Sequence, residues 1–163
     1  MPLESKIDGI IARRQAESLH ILLVEDNLVD ARFITGLLKG ASGFQWRHVV
    51  RLSEAQALLR TIRFDIILLD LNLEDSLGYE TFSHILTAAS STAILVLSAS
   101  DDEELAIRTV REGAQDYLVK GSFDRRLLLR AIQYAYERKQ SEKRCGRARP
   151  RCVPSLRTRS TAS

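Results

Sequence analysis

The residues with the clearest chemical potential are polar side chains that each come directly after a short apolar run. Four apolar residues, Ile66–Leu69, lead into Asp70 without a polar interruption. Such a run is typical of a strand that is covered on both faces in a parallel sheet. A carboxylate at its end has to leave the core, since burying an unpaired charge is costly. The same arrangement occurs at Glu25, Asp26, Ser98 and Lys120.

These five side chains are expected to converge, because the carboxyl ends of parallel strands lie along one edge of a sheet. Three carboxylates close together repel one another and favour a cation. Oxygen ligands with room for water suit Mg²⁺, and a carboxylate can accept a phosphoryl group as an aspartyl phosphate. A metal ion and a lysine amine offset the charge of the transferred group, and a serine hydroxyl can donate a hydrogen bond to it. The set predicts phosphoryl transfer to Asp70.

Each of these residues also has a structural explanation when it is taken singly. Glu25 and Asp26 could complement the dipole of a following helix or cap it. Asp70 could cap a turn, Ser98 could be a loop hydroxyl, and Lys120 could be a solvated surface charge. Their arrival at successive strand ends in this order favours the joint chemical interpretation.

A regular succession of elements is required to position the five residues. The strands are predicted at residues 19–24, 44–50, 64–70, 93–97 and 115–119. The helices are predicted over 28–39, from Ser53, after Gly78, from a cap at Ser100, and from Ser122 to about Glu142. Ser53 and Gln56 have the spacing of a capping box. Strands that alternate with helices through short connections indicate an α/β fold, with a single doubly wound five-stranded parallel sheet and five helices.

The composition is that of a globular chain without a membrane or secretory segment. It has 163 residues, of which 45% are hydrophobic, enough for one domain with extensions. No apolar run approaches the ~20 residues that a membrane-spanning helix needs, and charges interrupt the apolar residues near the N-terminus. Cys145 and Cys152 both lie in a polar tail, so no disulfide framework is expected. These features predict a cytoplasmic protein.

The net charge of +3 divides unevenly along the chain. Residues 144–163 contain six arginines and no acid, which leaves 18 basic and 21 acidic side chains in residues 1–143. We therefore predict an N-terminal extension at 1–17, a domain at 18–142 with an extended last helix, and a basic disordered tail at 143–163. The extension is either a frayed leader or a short helix. The tail is either a solvated end or a contact for a polyanion such as nucleic acid, anionic lipid or a nucleotide second messenger.

Four segments together give this chain its family resemblance. They are ILLVEDN at 21–27, DIILLDLNL at 65–73, AILVLSA at 93–99 and GAQDYLVK at 113–120. Over residues 19–140 the chain resembles a response-regulator receiver domain, the phosphoacceptor module of bacterial two-component signalling, of the chemotaxis-regulator type. The resemblance implies a flavodoxin-like strand order of 2-1-3-4-5. It also implies a signalling switch in a phosphorelay, which at most assists its own phosphorylation and dephosphorylation and is not an enzyme.

The resemblance assigns a role to each matching position. Asp70 matches the phosphorylated aspartate, and Glu25 and Asp26 match the acidic pair that organises Mg²⁺. Asn72 falls where the family supplies a backbone carbonyl to the metal. Ser98 matches the hydroxyl that turns toward the phosphate, and Lys120 matches the lysine that pairs with it. Tyr117 resembles the aromatic residue that moves inward on activation, although a half-exposed strand tyrosine is the simpler interpretation.

One departure from the family pattern concerns the residue after the lysine. The family usually has Lys-Pro with a cis peptide bond, whereas this chain has Lys120-Gly121. Glycine accepts unusual backbone angles, so the loop can differ from the family without affecting the phosphoryl chemistry.

The resemblance also implies partners, and alternatives to it remain. The implied donor is a histidine kinase or a histidine phosphotransfer protein, and the implied target is an unidentified protein that reads the surface of helix 4, strand 5 and helix 5. No output-domain pattern follows the last helix, and a monomer or weak homodimer is expected. An aspartyl-phosphate phosphatase is disfavoured, because such enzymes need an aspartate where this chain has Asn72. The other alternative is a phosphate-indifferent interaction or second-messenger-binding module that uses the arginine tail.

Overall fold

The computed structural model describes residues 18–99 and 101–148. Three sequence predictions therefore fall outside the described residues: the N-terminal extension at 1–17, the helix cap at Ser100, and the tail from residue 149 onward. Within the described part, no helix combines the length and the apolar character needed to cross a bilayer.

The core of the molecule is a five-stranded sheet in which every pair of neighbouring strands is parallel. Its strands are β1 (Leu19–Val24), β2 (Phe44–Val49), β3 (Ile66–Asp70), β4 (Ala93–Ser98) and β5 (Asp116–Val119). Their spatial order is β2-β1-β3-β4-β5, which confirms the predicted fold class and strand order. Every residue of β3 and β4 is buried, as the unbroken apolar runs of a sheet covered on both faces require.

Five helices cover the two faces of the sheet. They are α1 (Leu28–Leu38), α2 (Leu52–Thr61), α3 (Tyr79–Ala88), α4 (Glu103–Glu112) and α5 (Arg125–Ala148). Alternate residues of each central strand enter separate cores because successive side chains point to opposite faces. Ile66 and Leu68 pack with α1 and α5, whereas Ile67 and Leu69 pack with α2, α3 and α4. The sheet is thereby packed against helices on both faces.

The starts of α2 and α5 differ from the sequence prediction, and carboxylates accept the first N–H groups of α2, α4 and α5. The capping box at Ser53 and Gln56 is wrong: α2 begins at Leu52, and the distant Asp75 carboxylate accepts the backbone N–H groups of Leu52 at 2.8 Å and Ser53 at 3.1 Å. The cap of α4 is Asp102, which accepts the N–H of Leu105 at 3.0 Å. The last helix begins three residues after Ser122, where Asp124 accepts the N–H of Leu127 at 2.8 Å.

A short hairpin interrupts the loop between Asp70 and α3. Asn72–Leu73 pairs with Ser76–Leu77 in antiparallel register. Asp75 lies at the tip of this hairpin, so its bonds to the start of α2 fasten the segment that follows the central strand. The hairpin is thus held by tertiary hydrogen bonds that could not be predicted from its local sequence.

The last helix continues to Ala148, six residues past the predicted end near Glu142. Residues 143–148, which we assigned to the disordered tail, are therefore helical. The helix is tied to the start of β5: Gln115 Nε2 lies 3.4 Å from both carboxylate oxygens of Glu142, and the Arg138 guanidinium donates to the Gln115 carbonyl at 3.3 Å. These contacts, and residues with good helix propensity, carry the helix beyond the core.

The peptide bond between Lys120 and Gly121 is trans, as are all peptide bonds of the described residues. Gly121 has a φ of +84°, a left-handed conformation that is readily available to glycine alone. The turn after β5 therefore uses a left-handed glycine at the position where the family pattern has proline.

Candidate functional site

The strand register places the predicted acidic residues side by side at the carboxyl edge of the sheet. Val24 pairs with Leu69, so the residues that follow them, Glu25 and Asp70, are neighbours. Both are removed from solvent, with Glu25 0% and Asp70 5% exposed, whereas Asp26 is half-buried. One carboxylate oxygen from each of the three lies within 4.8 Å of the others. The structure thus brings the three acids into a single pocket.

Lys120 reaches this pocket from the end of β5. Its backbone N–H donates to the Ser98 carbonyl at 2.7 Å, which fixes the start of the side chain beside the end of β4. Its Nζ lies 3.0 Å from Asp70 Oδ2 and forms a close ion pair with Glu25 Oε2. The Lys120 side chain is only 11% exposed, so the ammonium points into the pocket.

Burial and pairing raise the pKa values of two groups, Glu25 and Lys120, for different reasons. Burial raises the pKa of the Glu25 carboxyl from 4.5 to about 7; the Lys120 ammonium opposes that shift, and the nearby Asp70 carboxylate reinforces it. Burial alone would lower the pKa of Lys120, but its contacts with Glu25 and Asp70 hold that pKa above its usual value. The lysine therefore stays charged, while the pocket carries more negative charge than one ammonium balances.

A divalent cation fits the chemistry of this donor set. Glu25 Oε2 is buried and has no hydrogen bond of acceptable geometry, although it pairs electrostatically with Lys120. It shares the pocket with oxygens of Asp26 and Asp70. A hard, oxygen-preferring ion such as Mg²⁺ is bound by one or two carboxylates together with water and phosphate oxygens. The pocket supplies such ligands and an excess of negative charge.

Asn72 and Ser98 lie beside the three acids. The Asn72 backbone N–H donates to Asp70 Oδ1 at 3.1 Å, which places Asn72 directly next to the predicted acceptor. Asp70 pairs with Leu97 across the sheet, so Ser98 is one residue further along the neighbouring strand. Ser98 is completely buried. Both residues are therefore at the edge where the sequence placed them.

Tyr117 lies further from the pocket, opposite Val96 in the register of β4 and β5. It is half-buried and packs against the core beneath α2, α3 and α4. Because Val96 precedes Ser98 by two residues on β4, Tyr117 is on the strand neighbouring the pocket without being part of it.

Two further residues contact the pocket and were missed by sequence reasoning. Asp30, in the first turn of α1, lies 3.1 Å from Lys120 Nζ through its Oδ2. His48 Nε2 lies 2.7 Å from the Glu25 backbone carbonyl. The position of Asp30 could have been noticed, since an acid in the first turn after β1 faces the same edge. His48 gave no such signal, because its contact depends on the pairing of β1 with β2.

A parallel α/β sheet with an acidic pocket and a partly buried lysine at its carboxyl edge defines a narrow class of protein. A family model described as the response regulator receiver domain matches residues 21–133. The chain belongs to the response-regulator receiver family, which consists of signalling domains of two-component systems. Members typically bind Mg²⁺ at an acidic pocket and interact with histidine kinases or phosphotransfer proteins.

Individual relatives are similar over the domain rather than over their whole length. The cell cycle transcriptional regulator CtrA of Caulobacter vibrioides is 33% identical over 102 residues, which cover 63% of this chain and 44% of that regulator. The cell cycle response regulator CtrA of Brucella ovis is 36% identical over 102 residues, with the same coverage. The chain thus spans less than half the length of these two regulators.

One solved structure has the same fold together with a bound ion. It is the receiver domain of the sensor histidine kinase PA1611 from Pseudomonas aeruginosa, with a magnesium ion in its active-site cleft. The two chains are 29% identical with a TM-score of 0.64, and the match covers 74% of this chain and 98% of that one.

Proposed function

We propose that this chain is a phosphoacceptor switch that takes a phosphoryl group on Asp70 with the help of Mg²⁺. The supporting observation is the pocket itself: carboxylates from the ends of two strands lie within 4.8 Å of one another, and the partly buried Lys120 ammonium is 3.0 Å from Asp70. Residues so far apart in sequence meet only because of the fold. The arrangement supplies an acceptor oxygen, a cation site and a fixed positive charge.

Glu25, Asp26 and Asp70 would hold the metal ion, with the backbone carbonyl of Asn72 as a further ligand. When bound, Mg²⁺ would neutralise negative charge on the acceptor and on the phosphoryl group. Lys120 offsets the negative charge of the phosphoryl group from a different side. Its contact with Asp70 already holds the ammonium beside the acceptor. The N–H of Asn72 orients the Asp70 carboxylate through Oδ1, which fixes the direction of the acceptor.

The proposed reaction is a displacement at phosphorus. A carboxylate oxygen of Asp70 forms a bond to the phosphorus of a phosphohistidine, and the phosphorus–nitrogen bond breaks as the donor imidazole leaves with a proton from water. Hydrolysis by water at the same phosphorus restores the Asp70 carboxylate and releases inorganic phosphate. The chain therefore takes part in its own phosphorylation and dephosphorylation but has no separate substrate. The proposed donors are a histidine kinase or a histidine phosphotransfer protein, and cytoplasmic location follows from such a donor.

The signal would pass through the strand next to the pocket. Ser98, buried at the end of β4, would hydrogen-bond the new phosphoryl oxygens, and Tyr117 would repack against the space near it. The surface of α4, β5 and α5 would then change in favour of a target protein, with the chain as a monomer or weak homodimer. Phosphorylation can shift this balance only by as much as the phosphoryl group fits one state better than the other.

Phosphoryl uptake from a small phosphodonor such as phosphoramidate tests the proposal. Intact-protein mass spectrometry is expected to show one added phosphoryl group in the presence of Mg²⁺ and none after chelation. The variant Asp70→Asn is expected to take up none, whereas Asp116→Asn, an exposed acid at the other end of β5, is expected to match the unmodified chain. Undiminished uptake by Asp70→Asn would exclude the assignment.

A further inference from the structure

Lys120 is surrounded by as many carboxylates as it has N–H groups. An ammonium carries three donors and no acceptor. Here it pairs with Glu25, lies 3.0 Å from Asp70 Oδ2, and lies 3.1 Å from Asp30 Oδ2. A phosphoryl oxygen that arrives on Asp70 can therefore reach the ammonium only when one of these carboxylates gives way.

The exposure of the three side chains identifies the carboxylate that can be released from Lys120 most readily. The side chain of Asp30 is 36% exposed, compared with 7% for Asp70 and 1% for Glu25. Released from the lysine, Asp30 can be hydrated, whereas Glu25 would remain buried without its cation. Asp30 also keeps a favourable location in the first turn of α1, where the helix dipole stabilises negative charge. Its release therefore costs the least.

We infer that Asp30 is a positioning residue that holds Lys120 in the resting state and competes with the phosphoryl group for it. This inference rests on the proposed function of Asp70. Asp30 acts in two ways: it occupies one donor of the ammonium, and its negative charge repels the anionic phosphoryl group. Both effects favour the unphosphorylated state, so Asp30 sets how strongly the pocket retains the phosphoryl group.

The variant Asp30→Asn separates this role from a merely structural one. Loss of the carboxylate frees a donor of Lys120 and removes a negative charge, so the affinity for a phosphoryl mimic rises. The affinity for Mg²⁺ alone stays the same or falls, because a negative charge near the cation is lost. A variant that only loosened the pocket would bind both ligands more weakly.

Beryllofluoride is a suitable phosphoryl mimic, and its binding can be followed by fluorine NMR at saturating Mg²⁺. Asp30→Asn is expected to bind it about twofold to fivefold more tightly than the unmodified chain, the range of a partly exposed ion pair. Asp30→Ser, which also suits a first helical turn, is expected to do the same. Mg²⁺ affinity is measured separately by calorimetry, and circular dichroism verifies folding.

Glu80→Gln is the control, because Glu80 is also an acid in the first turn of a helix, is more exposed than Asp30, and has no contact with Lys120 in the described part of the chain. It is expected to change beryllofluoride affinity by less than half as much. Equal or weaker beryllofluoride binding by both Asp30 variants would overturn the inference and leave the proposed function intact. An equal gain in Glu80→Gln would also overturn it, since the effect would then be general charge removal. An unmodified chain that binds no beryllofluoride in Mg²⁺ would overturn both.

Discussion

The two edges of the sheet differ in how their polar groups are balanced. At the amino edge, the Asp65 carboxylate accepts the backbone N–H of His20 at 2.8 Å, and Gln115 joins Arg138 and Glu142 of the last helix. At the carboxyl edge, one ammonium faces several carboxylates, and a buried oxygen of Glu25 lacks a hydrogen bond. Gln115 Oε1 at the amino edge also lacks a hydrogen bond, but that group is uncharged, whereas the carboxyl edge is short of positive charge. Such an imbalance is expected where a protein must bind a cation and an anion in turn.

Replacing Lys120 by alanine should affect stability most. Glu25 and Asp70 would be left buried without a cation, at a cost of about 3 kcal/mol in the free energy of unfolding. Asp65→Ala at the amino edge should cost only about 1 kcal/mol, the value of a single hydrogen bond. Urea unfolding at neutral pH in the presence of a chelator measures both values. Equal losses at the two edges would contradict the contrast between them.

Replacing Glu25 by glutamine should change how stability depends on pH. Because the pKa of Glu25 rises from 4.5 to about 7 on folding, the folded chain binds more protons than the unfolded chain between these values. Stability attributable to Glu25 therefore falls as pH rises through this interval. Relative to Glu25→Gln, the unmodified chain should lose about 2–3 kcal/mol between pH 4.5 and pH 7.

Urea unfolding in chelator on both sides of that interval measures the difference. Added Mg²⁺ should stabilise the unmodified chain above pH 7 more than it stabilises the variant, since Glu25 is a proposed ligand. Parallel pH profiles of the two proteins would show that folding does not raise the pKa of Glu25.

Removing the Asp75 carboxylate should have a smaller effect. Burial opposes ionisation of Asp75, but the N–H groups of Leu52 and Ser53 together outweigh it and lower its pKa below 3.8. Asp75→Ala should therefore cost about 1 kcal/mol at neutral pH, as loss of a helix cap does. That cost should shrink as pH falls below 3.8, where the carboxylate of the folded chain is progressively protonated. Thermal unfolding measures this loss of stability. Glu74→Ala, which removes an exposed ion pair at 3.4 Å, is the control and should cost close to zero.

The sheet was largely predictable because its strands carry their own signal. Buried runs such as Ile66–Leu69 end in a polar residue, and the strand ends determine the edge at which Asp70 and Lys120 lie. Features that depend on contacts distant in sequence were not predictable. The capping of α2 by Asp75 crosses more than twenty positions of the chain, so the local pair Ser53 and Gln56 gave the wrong indication.

The residues of the pocket divide in the same way between those with a local sequence signal and those that depend on contacts distant in sequence. Its three acids and its lysine were predicted because each ends or follows a strand, whereas Asp30 reaches Lys120 across 90 positions from the first turn of α1. The end of α5 was placed too early for a related reason. Apolar residues stop near Ala135, but contacts of Arg138 and Glu142 with the start of β5 hold the polar continuation.

The central claim is that the oxygen receiving the phosphoryl group belongs to Asp70, and borohydride trapping tests it most directly. The chain is incubated with phosphoramidate with and without Mg²⁺, reduced, and mapped by peptide mass spectrometry. Reduction of an aspartyl phosphate converts that residue to homoserine. The account predicts homoserine at position 70 only in the sample with Mg²⁺. Homoserine at another carboxylate, or equal conversion at position 70 without the metal, would contradict it.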